Sequence, residues 1–406
     1  RVLFRSCSDS MLCEHTDTSC NAKIVNSIIA PNTGVSSGEC NSSLVGPFIG
    51  FHHNSVLISS LWYEGKGNIG YGANIGSNHT GRLPDQESIP GEGVFFGLGC
   101  NIKYPCNLLH SPYSIVASGV TMLPERVDMP FSLINKPTHN HESISPAFNE
   151  IFPAWVLYSN YYMIIRNEDK FLTRNKSKRN TIENLILRPD IVAMIAHARA
   201  VLSFSPQATE FIDLVTMKRV SEQCSTTMGV GIEETQKVFE DTKVFLEQDI
   251  DGIGKNLLTE PSRRTGVNTY SFFIRLYLLR RLFQLLQETY ENTEDYSILR
   301  LTMQEQWEGL QLLLQNEFKR LILSDLITEY SSMENMILQY AVDSKTKDFT
   351  RGHHIDPSYG TTHHFDKDMA VIEKRKKFIS TKIEAFTNLT NQLMTFNDDC
   401  DLCQMK

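Results

Sequence analysis

The densest group of chemically capable side chains lies in Gly76–Gly93, which reads Gly-Ser-Asn-His-Thr-Gly-Arg-Leu-Pro-Asp-Gln-Glu-Ser-Ile-Pro-Gly-Glu-Gly. A neutral imidazole titrates near physiological pH and can take a proton, which suits His79 to base chemistry. Asp85 or Glu87 is able to orient that ring, and Arg82 to hold an anionic group beside Asn78. The plain alternative is a loop histidine that caps turns. Ile75 and Phe96 are 21 residues apart, about three more than a full turn of the pattern described below, so the segment is expected to bulge from a corner. His52 and His53 are adjacent, and in a strand they point to opposite sides, so at most one faces a given cleft. With His79, His53 and His110 form a set that could meet across an interface between copies. Trp62 or Tyr63 could stack on a sugar or base, with burial as the plain alternative. Lys103, Arg126 and Lys136 are candidates for a phosphate-binding strip.

These residues need a scaffold, and the sequence has two grammars. Residues 1–137 are rich in Gly, Ser, Asn, Ile and Val, and residues 138–406 carry long 3.6-residue periodicity. Between them lies a polar, Pro-bracketed connector, Asn135–Pro146. In the first region apolar residues step by six: Val45, Phe51 and Leu57; Ile69 and Ile75; Phe96 and Ile102. Six residues make one short strand and one turn, and three such units close a triangular coil of about eighteen. Small residues fit the corners, and Gly or Asn adopts positive φ there at low cost. The expected fold is therefore a parallel β-helix rather than a sandwich of alternating strands. Cys7, Cys13 and Cys20 fit buried positions on its successive strands. The chain opens at Arg1 in mid-pattern, which suggests the C-terminal part of a longer helix.

Formal charge is −8, from 39 Lys+Arg against 47 Asp+Glu, which disfavours nucleic acid as a main partner. No apolar run reaches the length of a membrane span, and the first twenty residues have no signal-peptide pattern; a cytoplasmic protein without a membrane partner is expected. Nine Cys, with one isolated Cys400-x-x-Cys403, argue for neither disulfides nor zinc.

Ser118-Gly-Val-Thr121 followed by Pro130-Phe-Ser-Leu-Ile134 resembles the last coil and exit of hexapeptide-repeat transferases. The match departs at Lys136-Pro137, where many acetyltransferases carry Gly-x-Pro. Ser8-Asp-Ser-Met, Val45–His53, Asn74–Arg82 and the helical tail are similar to an uncharacterised family of large hexapeptide-repeat proteins, in which a β-helix precedes a helical domain. The resemblance implies a left-handed parallel β-helix (hexapeptide repeats) followed by an all-α bundle, a homotrimer, and acyl transfer from acyl-CoA to a sugar or sugar nucleotide. On this resemblance His79 is the base, with Asp85 or Glu87 able to orient its ring. Asn78, Arg82, His53, His110 and Trp62 are candidates to face the substrate, and Lys103, Arg126 and Lys136 to hold the coenzyme. The alternatives are the β-helix portion of a sugar-1-phosphate nucleotidyltransferase and a non-catalytic trimeric scaffold.

In the second region helices are expected at about 147–166, 182–203, 206–224, 232–248 and 366–396, on the face Phe272–Leu286 and on the face Trp307–Leu321. His197 reads as a packed histidine, and Lys170–Arg179 as a solvated basic turn. The loop Arg351–His364 holds four His and Asp356 without a standard metal spacing, so it reads as a capping or docking loop and no metal is expected.

Overall fold

The computed structural model describes residues 6–76, 87–204, 243–291, 310, 312–318, 321–362 and 364–395. The first region is a parallel β-solenoid of three faces. Face 1 runs from β1 (Ser6–Ser8) through β4 (Lys23–Val25), β7 (Glu39–Asn41), β10 (Val56–Ile58), β13 (Asn74–Ile75) and β16 (Asn101–Ile102) to β19 (Thr121–Met122). Face 3 runs from β3 (Asp17–Ser19) through β6 (Gly34–Ser36), β9 (Gly50–His52), β12 (Asn68–Ile69), β15 (Phe95–Phe96) and β18 (Ile115–Val116) to β21 (Leu133–Asn135). Face 2 comes in two pieces, β2 (Met11–Leu12) to β11 (Leu61–Trp62) and β14 (Ser88–Ile89) to β20 (Glu125–Arg126), joined by a bridge between Ser60 and Ser88.

The six-residue step is what builds these faces. Val45, Phe51 and Leu57 point inward on faces 2, 3 and 1 of one turn, and all three are fully buried. On face 1 Ile24 pairs with Cys40, and Cys40 with Leu57, which sets turns of 16 and 17 residues. Corners between faces 1 and 2 carry Ser10, Ser27, Ser43 and Ser60, stacked turn on turn. Each of the first three hydroxyls accepts the backbone N–H of the next serine, at 3.0–3.1 Å. Ser27 and Ser43 also donate to a carbonyl of their own turn. A corner too tight for a large side chain thus satisfies its backbone through small hydroxyls. Cys7 and Cys20 correct the expectation for the first turn: both are exposed, Cys7 in the end strand and Cys20 at a corner with φ 51°.

The wide turn is larger than the sequence spacing suggested. Ile75 pairs with Ile102, and Ile69 with Phe96, each 27 residues on. Ile75 and Phe96 lie on different faces, so their separation does not measure a turn. The excess is roughly nine or ten residues, not three, and residues 77–86 lie outside the described residues.

Beyond the solenoid the chain is helical, with short strands interposed. β22 (Asn149–Phe152) pairs antiparallel with β21, where a helix was expected. β24 (Asn256–Thr259) pairs with β22, and β23 (Val244–Phe245) with β24. The helices are α1 (Trp155–Ser159), α2 (Tyr161–Arg174), α3 (Pro189–Leu202), α4 (Glu260–Glu291), α5 (Leu323–Ile355), α6 (Tyr359–Thr362) and α7 (Phe365–Thr395). α3 starts at Pro189, later than expected, because Arg188 is extended ahead of the proline. The expected helix at 206–224, most of that at 232–248 and Trp307 lie outside the described residues; of the Trp307 face, residues 312–317 are helical, and Leu314, Phe318 and Leu321 are buried.

Two compact units are present: 1–157 with 167–206 and 222–267, and 158–166 with 207–221 and 268–406. In the second unit Phe283, Tyr330 and Phe386 form one aromatic cluster, with centroids 5.2–5.8 Å apart. Arg280 grips the buried Glu334 with two hydrogen bonds of 2.6 and 2.8 Å. The His-rich loop is mostly helix end: His353 and His354 close α5, and Phe349 packs on His353, Tyr359 and Phe365.

Candidate functional site

The residues named from sequence are scattered over the solenoid. His79, Asn78, Arg82 and Asp85 lie outside the described residues; by chain position they join face 1 to face 2. Glu87 is exposed at the start of face 2. Beneath the loop's root the interior is closed by Tyr104, whose hydroxyl donates to Ile58 O and lies 3.0 Å from Ile75 O and 3.2 Å from Ser60 Oγ.

Trp62 does not serve as a stacking platform. It points inward, is 0% exposed, donates Nε1–H to Gly91 O at 2.9 Å and meets Phe96 edge-on. Lys103, Arg126 and Lys136 do not form one strip. Lys103 leaves face 1 after β16, Arg126 is on face 2, and Lys136 leaves face 3 after β21. His53 is exposed at a corner between faces 3 and 1, with φ 61°, and His110 belongs to the corner between faces 2 and 3. Within one chain His53 and His110 thus occupy different corners. His52, passed over in favour of its neighbour, is the half-buried one; burial and the charges of His53 and Lys170 hold its pKa down. His197 is exposed, not packed.

Two sequence-named residues, His110 and Arg126, do converge, on Asp128. His110 and Asp128 hold equivalent positions one turn apart. His110 Nδ1 lies 3.4 Å from Asp128 Oδ1, and Arg126 Nε lies 3.0 Å from Asp128 Oδ2. Arg126 also donates to both carboxylate oxygens of Asp251 at 2.8 Å. Asp128 is 7% exposed and anchored by its N–H to Gly252 O, whereas the His110 side chain is 56% exposed. The approach of His110 stops short of a hydrogen bond, and Asp128 Oδ1 has no hydrogen-bond partner among the described residues. Closed to a hydrogen bond, a carboxylate on Nδ1 would leave Nε2 free to act as a base, the arrangement that general-base chemistry needs. Arg126, engaged by two carboxylates, is a brace rather than a free anion receptor.

A second cluster was not visible in the sequence. Buried Glu92 accepts from Lys66 Nζ at 2.9 Å, from Tyr113 Oη at 2.6 Å and from both terminal nitrogens of Arg188. Burial pushes Glu92 up, but Arg188 and Lys66 outweigh it and hold the carboxyl below its ordinary range. Every oxygen is paired, so the cluster is a tie between solenoid and Arg188 and has no open valence for a ligand. Among the described residues no group of three or more His, Cys, Asp or Glu is placed to hold a metal ion. Nor is any helix of the described residues long and apolar enough to cross a membrane.

Fold and site define a parallel β-solenoid followed by a helical region, with a carboxylate-backed histidine at the solenoid's closing turns. No family model matches the chain. Over 170 residues the chain is 33% identical to an uncharacterized protein of Treponema pallidum (strain Nichols), a match spanning 41% of this chain and 22% of that protein.

Proposed function

We propose that the protein is transferase-like, moving an acyl group from acyl-CoA to a hydroxyl or amine of a sugar or sugar nucleotide, and that it works as a homotrimer. The observation that carries this reading is the 27-residue turn, set among turns of 16 to 20, whose extra residues include His79. An excursion of this size from a regular solenoid brings loop chemistry to a rigid wall. In the reaction the imidazole of His79 takes the acceptor's proton as the acceptor oxygen or nitrogen attacks the thioester carbonyl. Backbone N–H groups hold the oxyanion, and the coenzyme thiolate leaves with the proton. His110 with Asp128 is a second group able to act as base.

The test is thiol release from acyl-CoA against a panel of sugars and sugar nucleotides. The reading expects His79→Ala to lose about 10²-fold or more and His110→Ala to retain most activity. The reverse pattern moves the base to His110, and no thiol release by the wild type with any acceptor ends the acyl-transfer reading.

A non-catalytic trimeric scaffold is the second reading, favoured by one feature. Met11, Ile28, Leu44 and Leu61 align in register on the outer side of face 2. Met11, Ile28 and Leu61 are 60%, 46% and 43% exposed. An apolar ladder of this kind suits a second copy. Ile28→Glu is expected to lower the mass in solution from trimer to monomer; an unchanged mass removes face 2 from the interface.

A further inference from the structure

Behind Asp128 lies a buried carboxyl that the proposed chemistry does not use. Glu125 of β20 points inward in register with Cys106, and Asn256 of β24 is fully buried beside it. Glu125 Oε2 accepts the backbone N–H of Lys255 at 2.7 Å and Asn256 Nδ2 at 2.8 Å. The second hydrogen of that amide goes to Ile253 O at 2.6 Å. Two atoms are then left over: Glu125 Oε1 and Asn256 Oδ1 are both buried acceptors with no hydrogen-bond partner among the described residues.

These two orphans sit on side chains already joined by one hydrogen bond. A single hydrogen on Glu125 Oε1 answers both, because acid and amide then face each other through two bonds, N–H to Oε2 and O–H to Oδ1. An ionised carboxylate has no hydrogen for the second bond. We infer that Glu125 is a carboxylic acid whose proton, shared with Asn256, latches residues 249–256 onto the closing turns, and that opening the latch releases this proton.

The surroundings agree. Among the described residues the cations near the carboxyl are engaged: Lys255 Nζ pairs with Glu247 at 2.8 Å, and Arg126 with Asp128 and Asp251. Paired with Glu125 in register, the Cys106 thiol is pushed up by burial. Burial drives Glu125 up to about 8, Glu247 adds to this, and the hydrogen bonds from Lys255 and Asn256 oppose it. The latched loop is closely fitted: a Cβ on Gly254 would stand 2.3 Å from Glu125 Oε2, and one on Gly252 3.0 Å from Asp128 Cβ. The same loop brings Asp251 to Arg126, so the latch braces Asp128 beneath His110. The inference stands without the acyl-transfer reading.

The sign follows from the raised value. Between the ordinary carboxyl range and about pH 8 the closed state holds the proton and the open state does not. The open population therefore rises about tenfold per pH unit in that window and levels off above it. The test is hydrogen exchange at the Lys255 and Asn256 amides of the full chain from about pH 5.5 to 9, corrected for intrinsic rates. Wild-type protection is expected to fall about tenfold per unit and then level near 8. Glu125→Gln, whose amide donates to Asn256 permanently, is expected to stay protected at every pH, and Glu125→Ala to be unprotected throughout. A flat wild-type profile, or an equal slope in Glu125→Gln, overturns the latch. If Glu125→Gln does not fold, the carboxyl carbon of Glu125 in wild-type protein decides by NMR: a midpoint near 8 supports the latch, and one in the ordinary carboxyl range overturns it.

Discussion

The corners of the solenoid repeat the same backbone and carry opposite side chains. Between faces 1 and 2 the left-handed position holds Asp9, Asn26, Ser42 and Ser59; between faces 3 and 1 it is held by Cys20, Asn21, Ser37, His53, Asn54, Gly72, Gly99 and Gly119. These are small or polar residues, and several are exposed. Between faces 2 and 3 the same position reads His15, Asn32, Phe48, Lys66, Gly93, Tyr113 and Phe131, each two residues ahead of a face 3 strand. A bulky residue with positive φ costs about 1–2 kcal/mol. Here that cost is offset by burial under residues 167–190. Phe48 and Lys66 meet Phe171 at 5.3 and 5.6 Å, and Tyr113 stacks on Phe131 at 5.6 Å. Asn32 holds Asn175 and the N–H of Lys176, and Glu14 takes three donors from residues 177–179. The covered corner is structural, apart from exposed His15 and His110, and the open corners are where a ligand can reach the wall.

The largest test of this contrast is Arg188→Ala. It leaves Glu92 and Lys66 buried with fewer partners, and breaking such a pair costs about 3–5 kcal/mol. Urea denaturation checks it. Because the Glu92 carboxyl is held low, its contribution is present above the ordinary carboxyl range and is lost as pH falls through the folded value. The wild type should therefore lose stability on acidification more steeply than Arg188→Ala. A cost below about 1 kcal/mol would mean the tie is a surface pair in solution.

Phe48→Gly is the second test. Losing a buried phenyl costs about 3–5 kcal/mol, and relief of the left-handed backbone returns about 1, for a net loss of about 3. A neutral result would show that residue 171 does not cover this corner.

Much of the fold was legible because burial in a solenoid is periodic. Val45, Phe51, Leu57, Ile69, Ile75, Phe96 and Ile102 all lie inside, where the six-residue step put them. β22 was not legible, since Asn149-Glu-Ile-Phe152 is a short buried run next to Trp155 and Val156, and periodicity cannot separate strand from helix at that length. The wide turn was undersized because residues of two faces were compared as if they shared one. His110 and Asp128 are eighteen residues apart, one turn in that part of the solenoid, but the turns vary from 16 to 27 and hide the pairing until the register is known. The Glu92 cluster had one sequence signal that went unread: Phe, Lys and Tyr two residues ahead of strands where Gly or Asn was expected.

The smallest effect belongs to the open corner, and it is the sharpest for function. His53 is exposed with φ 61°; its N–H reaches Ser36 O and its carbonyl accepts Gly72 N–H, and none of these bonds uses the imidazole. His53→Gly keeps the backbone bonds and removes the left-handed strain, so denaturation should show no loss and a gain of up to about 1 kcal/mol. Acyl transfer, if it occurs, should then report on the side chain alone. A fall in kcat/KM at equal or higher stability would place a substrate contact at the corner between faces 3 and 1. An unchanged rate would confine the chemistry to the wide turn and the His110 corner.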